Sequence, residues 1–246
     1  MQARNLTVVG MLGALSAVMG LVPGIGFIPA PTPAGAATTM HLPAILAGIT
    51  RGPVAGALVG AVFGFFSFSR ATLPFFKDPL IAFGPRVLIG VLAAYTFAAL
   101  SRRAARGVAA VACGAAVYTV LGPGARAFEA AFTGGKVQPS WLVNLYHAVA
   151  STAASHPLAA FLGGLGVAAL AYLLLRGEAA PVAAAAVVGT LTNTVGVLGL
   201  IVWRFPQLMP PGAAVAVGAT HGLPEALLAV VVTVPVYRAL RSARLV

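Results

Sequence analysis

Long stretches without a charged residue are the feature that most constrains how this chain folds. The first runs from Leu6 to Ile28, and several others also reach about 18 residues or more, the length that an α-helix needs to cross a hydrocarbon core roughly 30 Å thick. Strands of a transmembrane barrel alternate polar and apolar side chains, and no segment alternates in that way. The sequence therefore predicts an all-α, multi-pass bundle of transmembrane helices.

The apolar segments end at turns that are rich in glycine, proline or basic residues. The sequence "PAPTPAG" follows the first segment, "RGP" follows the second and "MPPG" precedes the last, and such clusters end helices. The stretch 124–156 is more polar and predicts a loop with an interfacial helix anchored by Trp141 and Tyr146. We expect spans at about 6–28, 38–50, 53–69, 79–101, 107–123, 157–175, 181–203 and 213–237.

The charged residues indicate the orientation of the chain. Only 8% of residues are charged, and the formal net charge is +11. The basic side chains stand at the ends of apolar segments, so they are topology signals and no nucleic-acid partner is expected. Their asymmetry places both termini in the cytoplasm. The inner ends then hold Arg4, Arg51, Arg102, Arg103, Arg106, Arg176, Arg238, Arg241 and Arg244, and the outer ends hold Arg70, Lys77, Arg126, Lys136 and Arg204.

The second apolar segment is too short to cross a bilayer. It breaks at the sequence "RGP" after Thr50, and about ten helical residues reach only about half of the hydrocarbon core. A short helix is tolerated where its end meets a water-filled pocket instead of lipid, and interrupted helices mark binding sites in transporters. His41, at the outer end of this segment, is then either a satisfied interfacial histidine or a pocket residue.

Two charged residues fall inside predicted spans. Arg86 lies eight positions after Asp78, hence about 12 Å into the membrane. Glu225 lies in the last span, one turn after His221 and on the same helix face. A charge at such depth costs about 2.5–3.5 kcal/mol, so it is expected to face a partner or a cavity. Arg86 and Glu225 therefore either form a structural ion pair or line a solvated ligand pocket.

Uncharged polar residues and the outer rim add further candidates. Asn193 lies near the middle of its span among threonines, and a buried amide needs hydrogen-bond partners, which either another helix or a ligand supplies. The rim sequence "FGFFSFSRATLPFFKD" contains aromatic residues together with Arg70 and Lys77. It is either an interfacial belt or a gate whose cations attract an anion.

The first span carries small residues at a spacing of four. Gly10 pairs with Ala14, and Gly13 pairs with Ala17. Small residues at this spacing lie on one helix face and let a second helix approach closely.

Motifs of catalysis and cofactor binding are missing from the sequence. There is no P-loop, no H-E-x-x-H zinc motif and no G-x-S-x-G nucleophile motif. The single cysteine, Cys113, lies in an apolar run, where it forms neither a disulfide framework nor a metal cluster. We therefore expect a chain that is not an enzyme and that holds no metal or cofactor of its own.

Five blocks, taken in order, resemble the substrate-binding S component of energy-coupling factor (ECF) vitamin transporters. The resemblance is to the branch that contains pantothenate, folate and cobalamin carriers, and it covers roughly residues 6–101 and 181–242. Residues 102–180 depart from the six-span pattern of the family by about two further apolar segments. The blocks are "MHLPAILAGI", "GALVGAVFGFFS", "DPLIAFGPRVLIG", "GTLTNTVGVLG" and "PEALLAVVVTVPV".

The resemblance implies a role and a set of partners. It implies one integral membrane domain, a six-helix core with an insertion, in a bacterial or archaeal cytoplasmic membrane. Such a component binds a vitamin from outside and docks on a transmembrane coupling protein and two ATPases, so that ATP is used by the partner subunits. The family docks through small residues of the first helix, a role that Gly10, Gly13, Ala14 and Ala17 match.

These observations lead to one hypothesis about the site and leave two rival functions open. Arg86 is expected to bind a substrate carboxylate, which makes pantothenate the first candidate. The rivals are a polytopic membrane enzyme, with His221 and Glu225 as acid and base, and a secondary transporter, with Glu225 as a proton relay. The expected pocket consists of His41, Arg86, Asn193, His221 and Glu225, closed by the loops 29–40 and 70–78, with Arg70 and Lys77 at its rim.

Overall fold

The structure is a computed structural model that describes residues 3–29, 36–134, 141–209, 214 and 217–246. The description does not include the side chains of residues 3–5, 131, 141–143, 145, 146, 219, 220 and 223. The chain divides into two compact units, Met1–Leu100 with Pro181–Val246, and Ser101–Ala180.

Helices account for nearly all of the described secondary structure, so the all-α prediction is confirmed. A 3₁₀ turn at Pro74–Lys77 and π-helical turns at Val120–Gly124 and Gly218–Gly222 lead into the helices that follow them. In chain order the elements are α1 (Ala3–Leu21), β1 (Phe27–Pro29), β2 (Ala36–Thr38), α2 (His41–Arg51), α3 (Pro53–Ser69), α4 (Pro79–Leu100), α5 (Arg103–Thr119), α6 (Ala125–Thr133), α7 (Trp141–Ser155), α8 (Pro157–Leu175), α9 (Ala180–Arg204) and α10 (Leu223–Ser242).

The first helix is shorter than its apolar run. It ends at Leu21 instead of the expected Ile28, because Pro23 disfavours helical geometry in the residue before it and Gly24 adopts a φ of 79°, in the left-handed region that favours glycine. The chain then forms an antiparallel pair of short strands, in which Phe27 lies opposite Thr38. Part of the expected loop 29–40 is therefore strand β2, while residues 30–35 lie outside the described part of the chain.

Helices α2, α3 and α4 of the first unit are in contact through their backbones. A Cβ atom added at Gly48, Gly56 or Gly90 would overlap backbone atoms of a facing helix, so only glycine permits this approach. Every residue of α2 from His41 to Ile49 is buried. This glycine contact, defined by Gly48, Gly56 and Gly90, makes α2 the central helix of its unit.

The sequence "RGP" separates α2 from α3 as expected. Gly52 has a φ of 90° and ends α2, and Pro53 occupies the first helical position of α3, where its missing N–H group costs nothing. Arg51 donates from Nη2 to the carbonyl oxygen of Leu245 at 2.6 Å. This contact places Arg51 at the same end of the unit as the C-terminus of the chain.

The second unit contains two long helices that pack through glycine. A Cβ atom at Gly114 of α5 would overlap the carbonyl oxygen of Gly164 in α8. Helix α5 continues through its π-helical turn into α6 and ends at Thr133, so the loop expected from residue 124 onward is instead helical there. Glu129 of α6 and His147 of α7 are joined by a hydrogen bond with an Oε1–Nδ1 distance of 2.7 Å. The predicted anchors Trp141 and Tyr146 have side chains outside the described set.

Several described helices suit a bilayer. Four are long and apolar enough to cross one: Pro79–Leu100, Arg103–Ala130, Pro157–Leu175 and Ala180–Arg204. Large apolar side chains are exposed along them, including Leu92, Leu165 and Val195, which lipid would cover. The last helix begins at Leu223, later than the start of the expected span 213–237, and residues 213, 215 and 216 of that span are outside the description.

Candidate ligand-binding site

The first unit contains a cavity of about 320 Å³. Its wall is formed by the segment after α1, the two short strands, the 70–76 segment, and parts of α3, α4, α9 and α10. The volume lies at the lower end of the range of about 300–1,000 Å³ that is typical of small-molecule sites. Arg70, Arg86, Asn193, His221 and Glu225 all line it.

Arg86 is a buried cation in the wall of this cavity. Its side chain is only 3% exposed; Nη1 donates to the carbonyl oxygen of Ile81, whereas Nε has no hydrogen-bond partner in the described residues. The guanidinium lies 5.4 Å from the ring centres of both Phe63 and Phe76, a cation–π arrangement. Among the described side chains, no carboxylate lies within 4.0 Å of Arg86, so the expected alternative of a direct ion pair with Glu225 is not formed.

Glu225 connects α10 to the strand pair. Its residue is 7% exposed, and Oε1 accepts a hydrogen bond from the backbone N–H of Thr38 at 2.7 Å. A buried N–H group without an acceptor costs about 1–3 kcal/mol, so this carboxyl group holds the end of β2 in place. Glu225 thus combines a structural bond with a position in the cavity wall.

The threonines around Asn193 are satisfied within their own helix, whereas Asn193 is not. Thr190, Thr192 and Thr194 each donate to the carbonyl oxygen four residues earlier. Asn193 is 6% exposed and lines the cavity, and within the described residues its Oδ1 atom has no hydrogen-bond partner. The expected interhelical bond is therefore absent for Oδ1 in the described part of the protein, which leaves this atom available to a ligand.

The two candidate histidines lie in different places. His221 lines the cavity. His41 is fully buried at the start of α2 and is not part of the lining. Neither ring nitrogen of His41 has a hydrogen-bond partner among the described residues.

The two cations of the expected rim also differ. Arg70 lines the cavity but donates from Nη1 to the carbonyl oxygens of Gly20 and Leu21, so it caps the C-terminal end of α1. Lys77 is exposed and is not part of the lining. Beside it, Asp78 forms an ion pair with Arg204 at 2.8 Å.

Sequence reasoning missed two kinds of site residue. Thr38 takes part through its backbone N–H group, which no side-chain pattern reveals. Phe63 and Phe76 belong to the aromatic rim sequence, but their contact with Arg86 depends on the packing of α3 and the 3₁₀ turn against α4.

The small residues of α1 lie on an open surface. Gly10 and Ala14 are exposed, and Gly13 and Ala17 are partly exposed. A Cβ atom added at Gly10 or Gly13 would meet nothing within 4 Å. This face of α1 is thus accessible within the first unit.

Comparison with known proteins agrees with this architecture. Residues 4–170 match the family model described as "ECF transporter, substrate-specific component", so the match includes residues 102–170, which the sequence blocks left outside the resemblance. Asn193, His221 and Glu225 lie beyond the matched range. The chain is also similar to the pantothenic acid transporter PanT of Lactococcus lactis subsp. cremoris (strain MG1363), with 35% identity over 104 residues.

That alignment covers 34% of this chain and 53% of PanT, so the chain spans about half the length of the curated relative that it matches. The family model, in contrast, covers more than half of the chain. A helical membrane fold with a ligand-sized cavity is what a substrate-specific component requires. The chain therefore belongs to the family of substrate-specific components of ECF transporters.

Proposed function

We propose that this protein binds pantothenate in the cavity of its first unit and delivers it through an ATP-driven coupling module. The single observation that carries the proposal is Arg86, a buried guanidinium that lines the cavity without a carboxylate partner among the described residues. The similarity to a pantothenic acid transporter supports this choice of vitamin.

The carboxylate of pantothenate suits Arg86 on energetic grounds. An unpaired charge at membrane depth is costly, and a ligand carboxylate would form charge-assisted hydrogen bonds with the guanidinium. Phe63 and Phe76 contact the same guanidinium through their rings. The bound carboxylate would therefore balance the charge of Arg86, which no described carboxylate of the protein does.

The remaining candidate residues differ in how closely they would act on the ligand. Asn193 of α9, His221 of the π-helical turn before α10 and Glu225 of α10 contact the ligand, while His41 packs behind the site. Arg70 holds the end of α1 next to the cavity. Lys77 lies outside the lining and contributes only long-range attraction for an anion, an effect that salt screens.

The proposed partners are a transmembrane coupling protein and two ATPases. The open small-residue face of α1, with Gly10, Gly13, Ala14 and Ala17, is the proposed contact surface. Both termini are proposed to be cytoplasmic, and the contact of Arg51 with Leu245 supports placing the basic residues of α2 and α10 at one end. ATP would be bound by the partners.

Binding and uptake measurements on the same protein test the proposal. The purified chain in detergent is expected to release pantothenate on denaturation, detected by mass spectrometry, or to bind added pantothenate with a Kd of about 1 μM or tighter. Cells or vesicles that contain the chain alone are expected to show no uptake, whereas co-expression with a coupling module restores it.

The rival functions predict different results. A proton-coupled transporter would import pantothenate without ATPases and would stop when the proton gradient is dissipated. A membrane enzyme would convert its substrate as an isolated chain. Failure to bind any member of a vitamin panel would contradict the proposed function.

A further inference from the structure

The polar groups of the cavity are divided by chemical type between helices. On α4, Arg86 offers only hydrogen-bond donors. On α9, Asn193 offers an Oδ1 acceptor without a partner in the described residues, and the Thr194 hydroxyl donates its hydrogen to Thr190, so only its lone pairs remain. On α10, Glu225 offers a carboxyl group. The α9–α10 acceptors, defined as Asn193 Oδ1, Thr194 Oγ1 and the Glu225 carboxyl group, thus complement donors on a ligand.

The acceptors lie close to one another in the fold. Asn193 and Thr194 are neighbours on α9, and a Cβ atom added at Gly222, just before α10, would lie 3.2 Å from the Thr194 methyl group. Glu225 follows Gly222 by less than one helical turn. These groups therefore form one patch, and no described carboxylate lies within 4.0 Å of Arg86.

The positive charge available to a ligand is limited. Arg70 also lines the cavity, but its Nη1 donors are used by the carbonyl oxygens of Gly20 and Leu21. Arg86 is the buried arginine of the described lining, and its Nε atom has no hydrogen-bond partner among the described residues. Glu225 on the same wall disfavours additional negative charge. A second anionic group at the α9–α10 acceptors would therefore meet the carboxyl group of Glu225 instead of a cation.

We propose that the ligand lies across the cavity with its single carboxylate at Arg86 and its uncharged hydroxyl or amide donors at the α9–α10 acceptors, so that the site accepts monoanionic hydroxyl-bearing carboxylates and excludes dianions. This inference rests on the proposed function and adds an orientation and a limit on ligand charge.

Four ligands distinguish binding of the carboxylate end from binding of the hydroxyl end. Their affinities are measured by calorimetric titration of the full chain in detergent. They are pantothenate, pantothenol (a hydroxymethyl group replaces the carboxylate), dideoxypantothenate (both hydroxyls are removed) and the phosphate monoester of pantothenate. With the wild-type protein we expect each of the three analogues to bind at least about tenfold more weakly than pantothenate, because buried partners are left unsatisfied or charges repel.

Three substitutions at two positions test which residue binds each end of the ligand. Arg86→Gln is expected to remove the preference for pantothenate over pantothenol, while Arg86→Lys, which keeps the charge, retains part of it. Glu225→Gln keeps a side-chain oxygen for the Thr38 N–H group and is expected to reduce the preference for pantothenate over dideoxypantothenate. Each readout compares two ligands on one variant, so a partial loss of folded protein does not change it.

The possible outcomes are distinguishable. Absence of pantothenate binding to the wild type would contradict the proposed function and this inference together. Binding of pantothenate with an unchanged pantothenate/pantothenol ratio in Arg86→Gln would overturn the orientation alone. An equal effect of Glu225→Gln on pantothenate and dideoxypantothenate would show that Glu225 acts only through Thr38 and would overturn its contact with the hydroxyls. Phosphate-ester binding as tight as that of pantothenate would overturn the charge limit.

Discussion

Gly90→Ala is expected to destabilise the first unit by about 3 kcal/mol or more, at the upper end of the effects seen when a packed core is overfilled. The added Cβ atom would overlap the backbone of Gly56 and the carbonyl oxygen of Ala44. Backbone atoms of packed helices cannot move aside as a flexible side chain does, so α2 and α3 would both have to separate from α4. This loss would occur although alanine is the better helix former by about 1 kcal/mol.

The measurement is thermal unfolding of the purified protein in detergent, followed by tryptophan fluorescence and by the monodisperse fraction in size-exclusion chromatography. Gly84→Ala on the same helix is the matched control, because its Cβ atom would lie 3.5 Å from a Leu80 methyl group, an ordinary contact. Equal melting temperatures of the two variants would mean that the glycine contact does not limit how closely the helices approach.

Gly13→Leu is expected to reduce uptake strongly while leaving ligand binding intact. A Cβ atom at Gly13 meets nothing within 4 Å, so the side chain of a leucine starts in open space within the described first unit. The same side chain would prevent a partner helix from approaching α1, since close contact between membrane helices requires small residues. We expect pantothenate uptake by cells with a complete coupling module to fall by about tenfold or more, which corresponds to about 1.4 kcal/mol of docking free energy.

Gly199→Leu is the control for this experiment. Gly199 is exposed and, like Gly13, has open space around it, but it belongs to α9 and not to the small-residue face of α1. It should support wild-type uptake. Normal uptake by Gly13→Leu, or equal loss in both variants, would remove α1 as the proposed docking surface.

Helix boundaries followed from the sequence where a turn signal coincided with the end of an apolar run. The sequence "RGP" fixed the separation of α2 from α3, and the span expected at 79–101 differs from Pro79–Leu100 by one residue. The end of α1 did not follow, because residues 22–28 continue the apolar run although Pro23 and Gly24 break the helix. Apolarity reports burial or lipid contact, whereas the backbone conformation of this segment depends on its pairing with β2.

The candidate site was predictable to the extent that polar residues at membrane depth need a partner or a solvated cavity. This argument identified Arg86, Asn193 and Glu225, and the structure places all three in the wall of one cavity. The same argument did not show that His41 is buried outside the lining. Whether a residue near a cavity lines it depends on the direction of its side chain. Nor did the argument predict that Glu225 binds the Thr38 N–H group, since a contact between residues so far apart in sequence arises only from tertiary folding.

The central position of α2 also bears on how a bound molecule leaves. This helix of 11 residues, about 16 Å long, leads from the end of the strand pair to Arg51 beside Leu245, and its backbone touches that of α4 at the glycine contact. Helix α2 is therefore packed tightly along nearly its whole length in the first unit. If the cavity binds the ligand as proposed, release of that ligand beside Arg51 would require movement of this packed helix or of the whole unit, and the proposed coupling module would drive that movement.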